Sequence, residues 1–418
     1  MQRRDFLNAF AAGAGLMIPL GRDAWAATAT AAQGTGPAAG ATGRKLVVVM
    51  LRGAVDGLNV VAPLGDANYA RLRPTIALAA PDQDNGALDL DGYFALHPAL
   101  APLMPLWREK KLAFVHASGS PDATRSHFDA QDYMESATPG VKSTPDGWMN
   151  RLIAALPGAS TPTRAVSVGP TMPRILAGQA AAINIANGAA AGKPGALDRP
   201  QLAAAFDQLY MGNQRFGKVY QDGREAHKEV MAATMAEAVA ADGGAPLPNG
   251  FPDDAARLAV LMRNDPNVQL AFFALGGWDT HASQGAGTGQ LANRLAPLGQ
   301  GLALLAQRLG PMFEDTTIVV MSEFGRTARE NGNGGTDHGH GNVMWVLGGG
   351  VAGGKVLGEW QGVGDGQLNE GRDLPVTTDF RTVLAHIAER HLRLGDRQLA
   401  QVFPRMPSAA SGLRLLRA

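Results

Sequence analysis

Uninterrupted apolar runs, rather than alternating ones, mark the strands of this chain. Leu46-Val47-Val48-Val49-Met50-Leu51 is apolar throughout and rich in β-branched residues, the pattern of a strand covered on both faces of a parallel sheet. Similar runs recur at 112–115, 165–168, 268–275, 317–321 and 343–347. Between several of them the period changes to that of a helix. Leu291, Leu295, Leu298, Leu302, Leu305 and Leu309 fall on one helical face, with Pro297 a candidate kink within it. Strands alternating with helices predict an α/β fold: a doubly wound, mostly parallel sheet with helices on both faces. Two stretches rich in Gly, Pro and Ala, at 187–200 and 241–252, bracket a mostly helical block from Gln201 to Ala240. That block reads as a helical insertion, a cap or side lobe, at about 200–250. No repeat of solenoid period is present.

The first residues follow a different rule. Arg3-Arg4 precede Phe6-Leu7 at the offsets of a twin-arginine export signal, and an Ala/Gly-rich apolar stretch runs from Ala9 to Leu20. That stretch is too short to span a bilayer, which needs roughly 20 apolar residues. Ala24-Trp25-Ala26 is a small-x-small cleavage site, so residues 1–26 read as a signal peptide and the mature chain is expected to begin near Ala27. Residues 27–44 are small and unpatterned, a flexible leader, and 45–418 read as one α/β domain. The expected location is therefore periplasmic or otherwise exported, with the twin-arginine translocase as the partner in transit. Composition narrows the chemistry further. There is no cysteine, which excludes thiolate nucleophiles, zinc-thiolate sites and iron-sulfur ligation. Lys+Arg and Asp+Glu are equal at 37 each, so no general attraction to nucleic acid or to an anionic membrane is expected. No later apolar run is long enough to span a membrane.

Polar residues gather where the strands end, and in open α/β sheets ligands bind at the carboxyl ends of strands. The first strand runs into Arg52-Gly53-Ala54-Val55-Asp56-Gly57, where Asp-Gly can be a site or a turn. The second cluster is Thr124-Arg125-Ser126-His127-Phe128-Asp129. Its hydroxyls fit a nucleophile at a helix N-terminus and equally a helix cap, with Asp129 at the capping-box position. The third, Gly276-Gly277-Trp278-Asp279-Thr280-His281, puts an Asp and a His two residues apart, on the same side of an extended loop. The fourth is Ser322-Glu323-Phe324-Gly325-Arg326, and the fifth is Gly335-Thr336-Asp337-His338-Gly339-His340. Two histidines and an aspartate in one glycine-framed loop, with a second Asp-x-His elsewhere, point to a metal more than to structural histidines. The ligand set of Asp, Glu and His suits zinc, manganese, magnesium, calcium or iron. Arg125 and Arg326 are candidate clamps for a phosphate or sulfate, or else structural ion pairs.

The chain resembles the family called domain of unknown function 1501, whose members typically carry a twin-arginine signal. The resemblance rests on LVVVMLRGAVDGLN (46–59), RSHFDAQDYME (125–135), GWMNR (147–151), GGWDTH (276–281), SEFGRTARENGNGGTDHGHGN (322–342) and LPVTTDFR (374–381). That family is in turn remotely similar to the alkaline phosphatase and sulfatase superfamily. What this implies is an alkaline phosphatase-like fold with one or two metal ions and a hydroxyl nucleophile. Asp56 would then be the first metal aspartate, Ser126 or Thr124 the nucleophile, and Asp279 and His281 the later metal pair. Glu323 would replace an aspartate. Phe324 stands where a histidine ligand is expected, so His338 or His340 would have to supply it. The sulfatase signature is not met around Ser126, and no cysteine is available to become formylglycine.

The expectation is an exported, divalent-metal-dependent hydrolase of phosphate esters, with sulfate esters second, acting on a small anionic ester or a polymer. Its metal ligands would come from Asp56, Asp279, His281, Glu323, Asp337, His338 and His340, converging on one cleft, and its catalytic groups from Thr124, Arg125, Ser126 and Arg326. The rival expectation is a non-catalytic periplasmic binding or assembly protein that keeps the fold around a structural or degenerate metal site.

Overall fold

The computed structural model describes residues 43–158, 161–188, 241–406 and 413–417. The signal peptide, nearly all of the leader and the block Gln201–Ala240 lie outside the described residues. In chain order the strands are β1 (Lys45–Leu51), β2 (Val61–Ala62), β3 (Leu88–Asp89), β4 (Ala95–Leu96), β5 (Leu112–Gly119) and β6 (Ala165–Val168). They continue as β7 (Ile183–Ile185), β8 (Leu270–Leu275), β9 (Thr316–Ser322), β10 (Asn342–Gly348), β11 (Lys355–Leu357) and β12 (Thr378–Asp379). Nine of them form one sheet in the order β11-β5-β10-β9-β1-β8-β6-β7, with β12 also beside β5, while β2, β4 and β3 make a small second sheet. All six expected runs coincide with strands of the large sheet, the one at 268–275 entering β8 at Leu270.

Six helices cover the large sheet and reach its loop-bearing edge: α1 (His127–Ser136), α2 (Trp148–Ala155), α3 (Phe251–Asn264), α4 (Gln290–Leu309), α5 (Phe380–Arg390) and α6 (Asp396–Val402). The central strand shows why the apolar runs are continuous. In β1 the side chains of Val47, Val49 and Leu51 join one core with α3 and α4, and Leu46, Val48 and Met50 join a second core with α2, α5 and α6. Both faces are covered, so both sets of alternating positions must be apolar. Each buried Val, Leu or Met contributes about 1.5–3 kcal/mol relative to an exposed one. In α4 the Leu291 to Leu309 face is buried as patterned, and the helix runs unbroken through Pro297.

Strand direction decides where the loops meet. Within the large sheet β1, β8 and β9 are parallel, whereas β10 runs against both β9 and β5. The segment that precedes β10 therefore lies at the same edge as the segments that follow β1, β5, β8 and β9. Without that reversal the 335–341 loop would sit at the opposite end of the sheet from Asp279.

Candidate metal centre

Three loops bring the centre together. His127 is the first residue of α1, and Ser126 caps that helix by accepting the Asp129 amide on its Oγ at 3.4 Å. Asp279 leaves β8 through Gly276-Gly277-Trp278, where the buried indole donates to the Leu275 carbonyl at 2.8 Å and anchors the turn. His338 lies in the loop before β10, in a backbone bridge to Arg326. Two glycines permit this crowding. Gly53 has φ +111°, and a Cβ there would lie 2.8 Å from the Asp279 amide nitrogen. A Cβ on Gly335 would lie 2.4 Å from the His281 carbonyl carbon.

One donor atom each from His127, Asp279 and His338 lies within 4.8 Å of the other two. The Nε2 atoms of His127 and His338 are 2.9 Å apart, and Asp279 Oδ1 is 3.7 and 3.4 Å from them. His281 joins from the outer side, its Nε2 3.0 Å from both Asp279 Oδ1 and His338 Nε2. Behind each imidazole stands an acceptor. Glu323 Oε1 is 2.7 Å from His127 Nδ1, Asp337 Oδ1 is 3.2 Å from His281 Nδ1, and the Arg125 carbonyl is 2.9 Å from His338 Nδ1. An acceptor at Nδ1 requires the hydrogen there, which leaves every Nε2 facing the centre. Metal-ligating imidazoles are oriented in this way.

The charges around the centre also call for a cation. The Asp279 carboxylate, little exposed, is paired with the buried Arg326, the buried Glu323 lies against His127 with no guanidinium bonded to it among the described residues, and Asp337 adds negative charge at the rim. Burial alone would raise the Asp279 carboxyl, but hydrogen bonds from the three histidines and the charge of Arg326 hold it well below the usual carboxylate range. Burial works against the His127 cation too, yet Asp279 and Glu323 outweigh it and bring the imidazole up to about 9 in the metal-free molecule. Protons and a metal ion thus compete for the same electron pairs. The donor set of imidazoles and one carboxylate, without sulfur, fits a first-row transition metal. With His281 38% and Asp337 51% exposed, the centre opens to solvent on one side.

The candidate residues separate by partner. Asp279, His281 and His338 converge, with Glu323 and Asp337 behind the imidazoles. Asp56 does not join them: it is buried, bonded to Arg73 at 2.6 and 3.0 Å and to Gln284 at 2.7 Å. His340 is also apart, its Nε2 2.9 Å from the Ser120 carbonyl. Ser126 stays exposed at the helix entrance, and Thr124 Oγ1 accepts the Ser126 amide at 3.3 Å. As clamps the arginines are differently placed from expectation. Arg326 has a fully buried side chain, bonded to the carbonyls of Gly53, Ala54, Trp278 and Thr336 as well as to Asp279, so it holds the loops together and is closed to an incoming anion. Arg125 is paired with Glu370 and Asp373 at 2.9 and 3.1 Å. His127 is the residue sequence reasoning passed over. Its one signal is a place at the start of a helix just beyond a strand end.

Fold and cluster together define the class: an α/β protein whose strand ends carry a His/Asp group able to hold a metal ion. The chain belongs to the family described as protein of unknown function (DUF1501), whose model matches residues 43–403. No curated protein matches it. Among solved structures it is similar to the lipoteichoic acid synthase LtaP from Listeria monocytogenes, at 9% identity over 77% of this chain and 71% of that one, with a TM-score of 0.32. A protein in the alkaline phosphatase superfamily from Vibrio parahaemolyticus matches at 10% identity and TM-score 0.34, over 75% of this chain and 61% of that one, so the chain spans less than two thirds of it. Ps i-CgsB in complex with k-i-k-neocarrahexaose matches at 11% identity and TM-score 0.36, over 85% and 73%.

Proposed function

We propose that the protein is an exported hydrolase of phosphate esters, with sulfate esters as the second choice, working with one divalent metal ion held by His127, Asp279 and His338 and assisted by His281. The observation that supports this reading is the convergence of those donors, each imidazole already turned by its own acceptor, at a solvent-open edge of the sheet. An imidazole-rich set favours zinc or iron over magnesium or calcium. Such an ion supplies Lewis acidity toward an ester oxygen. The chain's own residues do the rest. Glu323, Asp337 and the Arg125 carbonyl orient the ligands, and Arg326 keeps Asp279 ionised and the loops joined. Ser126, exposed one residue before His127, is the group for a covalent route. There its Oγ would bond to phosphorus, the bond to the leaving alcohol would break, and the hydroxyl proton would pass to that alcohol.

The test is metal analysis of protein purified from its native compartment, combined with hydrolysis of p-nitrophenyl phosphate. About one zinc or iron per chain, with turnover lost on chelation, is the expected result. Loss of turnover in Ser126→Ala with metal retained assigns the covalent route, and retained turnover assigns direct attack by water. Full occupancy without hydrolysis of any phosphate or sulfate ester would favour the rival, a binding or assembly protein. That rival has some support in the capping role of Ser126 and the ion-paired state of Arg125. Export is a separate proposal, motivated by Arg3-Arg4. Changing both to Lys is expected to leave uncleaved precursor in the cytoplasm, and normal periplasmic levels of the double mutant would refute the route.

A further inference from the structure

Beside the metal centre lies a cleft of about 240 Å³, lined by Arg329, Arg372, Asn331, Asp337, Leu72 and Leu368 among others. The two sites share a wall. Asp337, which orients His281, is part of the cleft lining, and Arg372 reaches from the cleft to donate to the His338 carbonyl at 2.8 Å. A ligand whose reacting group met the Nε2 atoms would have its remainder within reach of this cleft.

The hydrogen-bonding state of the lining indicates what that remainder is. Each of its carboxylates has one oxygen engaged. Glu330 Oε2 accepts the Thr75 and Ile76 amides at 2.9 and 3.1 Å, and Asp337 Oδ1 accepts from His281 and from Asn331 at 3.2 and 3.0 Å. At the lip Asp365 faces Arg71 at 3.5 Å. The neighbouring Glu370 and Asp373 are both paired with Arg125. The cations are in a different state. Arg329 is exposed and its guanidinium has no hydrogen bond or ion pair among the described residues. Arg372 is partly buried and bonds through Nη2, to the His338 carbonyl. The guanidinium N–H groups left open on Arg329 and Arg372 suit a planar oxyanion, and Leu72 and Leu368 offer a small apolar surface beside them.

We infer that this cleft binds a second negatively charged group of the substrate, separate from the ester that meets the metal centre, so that the preferred substrates are esters with a distal carboxylate or phosphate. This rests on the metal-centre reading, and the experiment separates the two. Zinc-loaded protein would be titrated calorimetrically with phenylphosphonate and with 4-carboxyphenylphosphonate, which carry the same metal-seeking group and differ in the distal charge. The carboxylated compound is expected to bind about tenfold more tightly. In Arg329→Ala the gap should shrink to less than about threefold, with zinc content and phenylphosphonate affinity held within about twofold. Arg329 is exposed and its side chain makes no hydrogen bond or ion pair among the described residues, so the variant should remain folded. Equal affinities in the unaltered protein, or an undiminished gap in Arg329→Ala, would overturn the inference while leaving the metal centre standing. Failure to hold zinc, or to bind either compound, would remove the metal-centre reading and the inference with it.

Discussion

His338 and His340 are separated by a single glycine, yet their surroundings assign them opposite roles. The His338 Nε2 faces His127, His281 and Asp279, whereas the His340 Nε2 donates to the Ser120 carbonyl. His338→Ala is expected to abolish stoichiometric metal binding, read by mass spectrometry of the protein's metal content, with little change in urea midpoint. His340→Ala is expected to keep the metal and to lower stability by about 1–3 kcal/mol, the cost of leaving the Ser120 carbonyl without its donor. Equal metal loss in both variants would show that the loop acts as a unit. Asp56 teaches the same lesson in a carboxylate: a buried guanidinium, Arg73, takes the place that a metal ion was expected to fill.

At the scale of elements, the turn after β1 ties three parts of the centre together. Gly53 donates its amide to Glu323 Oε1 at 2.8 Å and offers its carbonyl to Arg326 at 2.6 Å, in a conformation that side-chain-bearing residues rarely adopt. Gly53→Ala must force the Asp279 backbone away, since the added carbon would lie 2.8 Å from its amide nitrogen. The expected outcome is a loss of about 1–3 kcal/mol together with weaker metal binding, measured by unfolding and by zinc titration of the same preparation. An unchanged zinc affinity would mean that Asp279 is positioned independently of this turn. The cap of α1 calls for similar care. Ser126→Ala removes an N-cap worth roughly 0.5–2 kcal/mol, so its activity must be compared at a temperature where both proteins are folded.

Across the whole molecule, two further histidines contribute to how stability responds to acid. His116 donates from Nε2 to the Val61 carbonyl and accepts the Ala117 amide on Nδ1, and His97 is held likewise between Ala286 and Ala99. Burial pushes both imidazoles down from 6.5 to about 4. The folded protein therefore binds fewer protons than the unfolded chain between those values. Stability from these groups is complete above about pH 6.5 and is lost as pH falls through 4, by on the order of 3 kcal/mol per histidine. Urea midpoints measured from pH 7 to 4 are expected to fall, and less steeply in His116→Gln. Parallel slopes for the two proteins would show that His116 does not titrate in this range.

The sheet itself was legible in the sequence because continuous apolar runs have one stable use, a strand covered on both faces, and that requirement is local. The same holds for the leucine face of α4 and for the glycine-rich polar loops at the strand ends. Which loops meet is not local information. It depends on β10 running against β9 and β5, which brings the segment before one strand to the edge reached by the segments after the others. Ligand identity depends on that meeting. His127 is drawn in because Glu323, 196 positions away, orients its ring, and Asp56 is diverted because Arg73 is folded against it. Residue type and spacing determine what a side chain is able to bind. Only the tertiary structure decided which charge it actually faces, because Coulomb and hydrogen-bond energies depend on distance in space, and distance along the chain does not determine that.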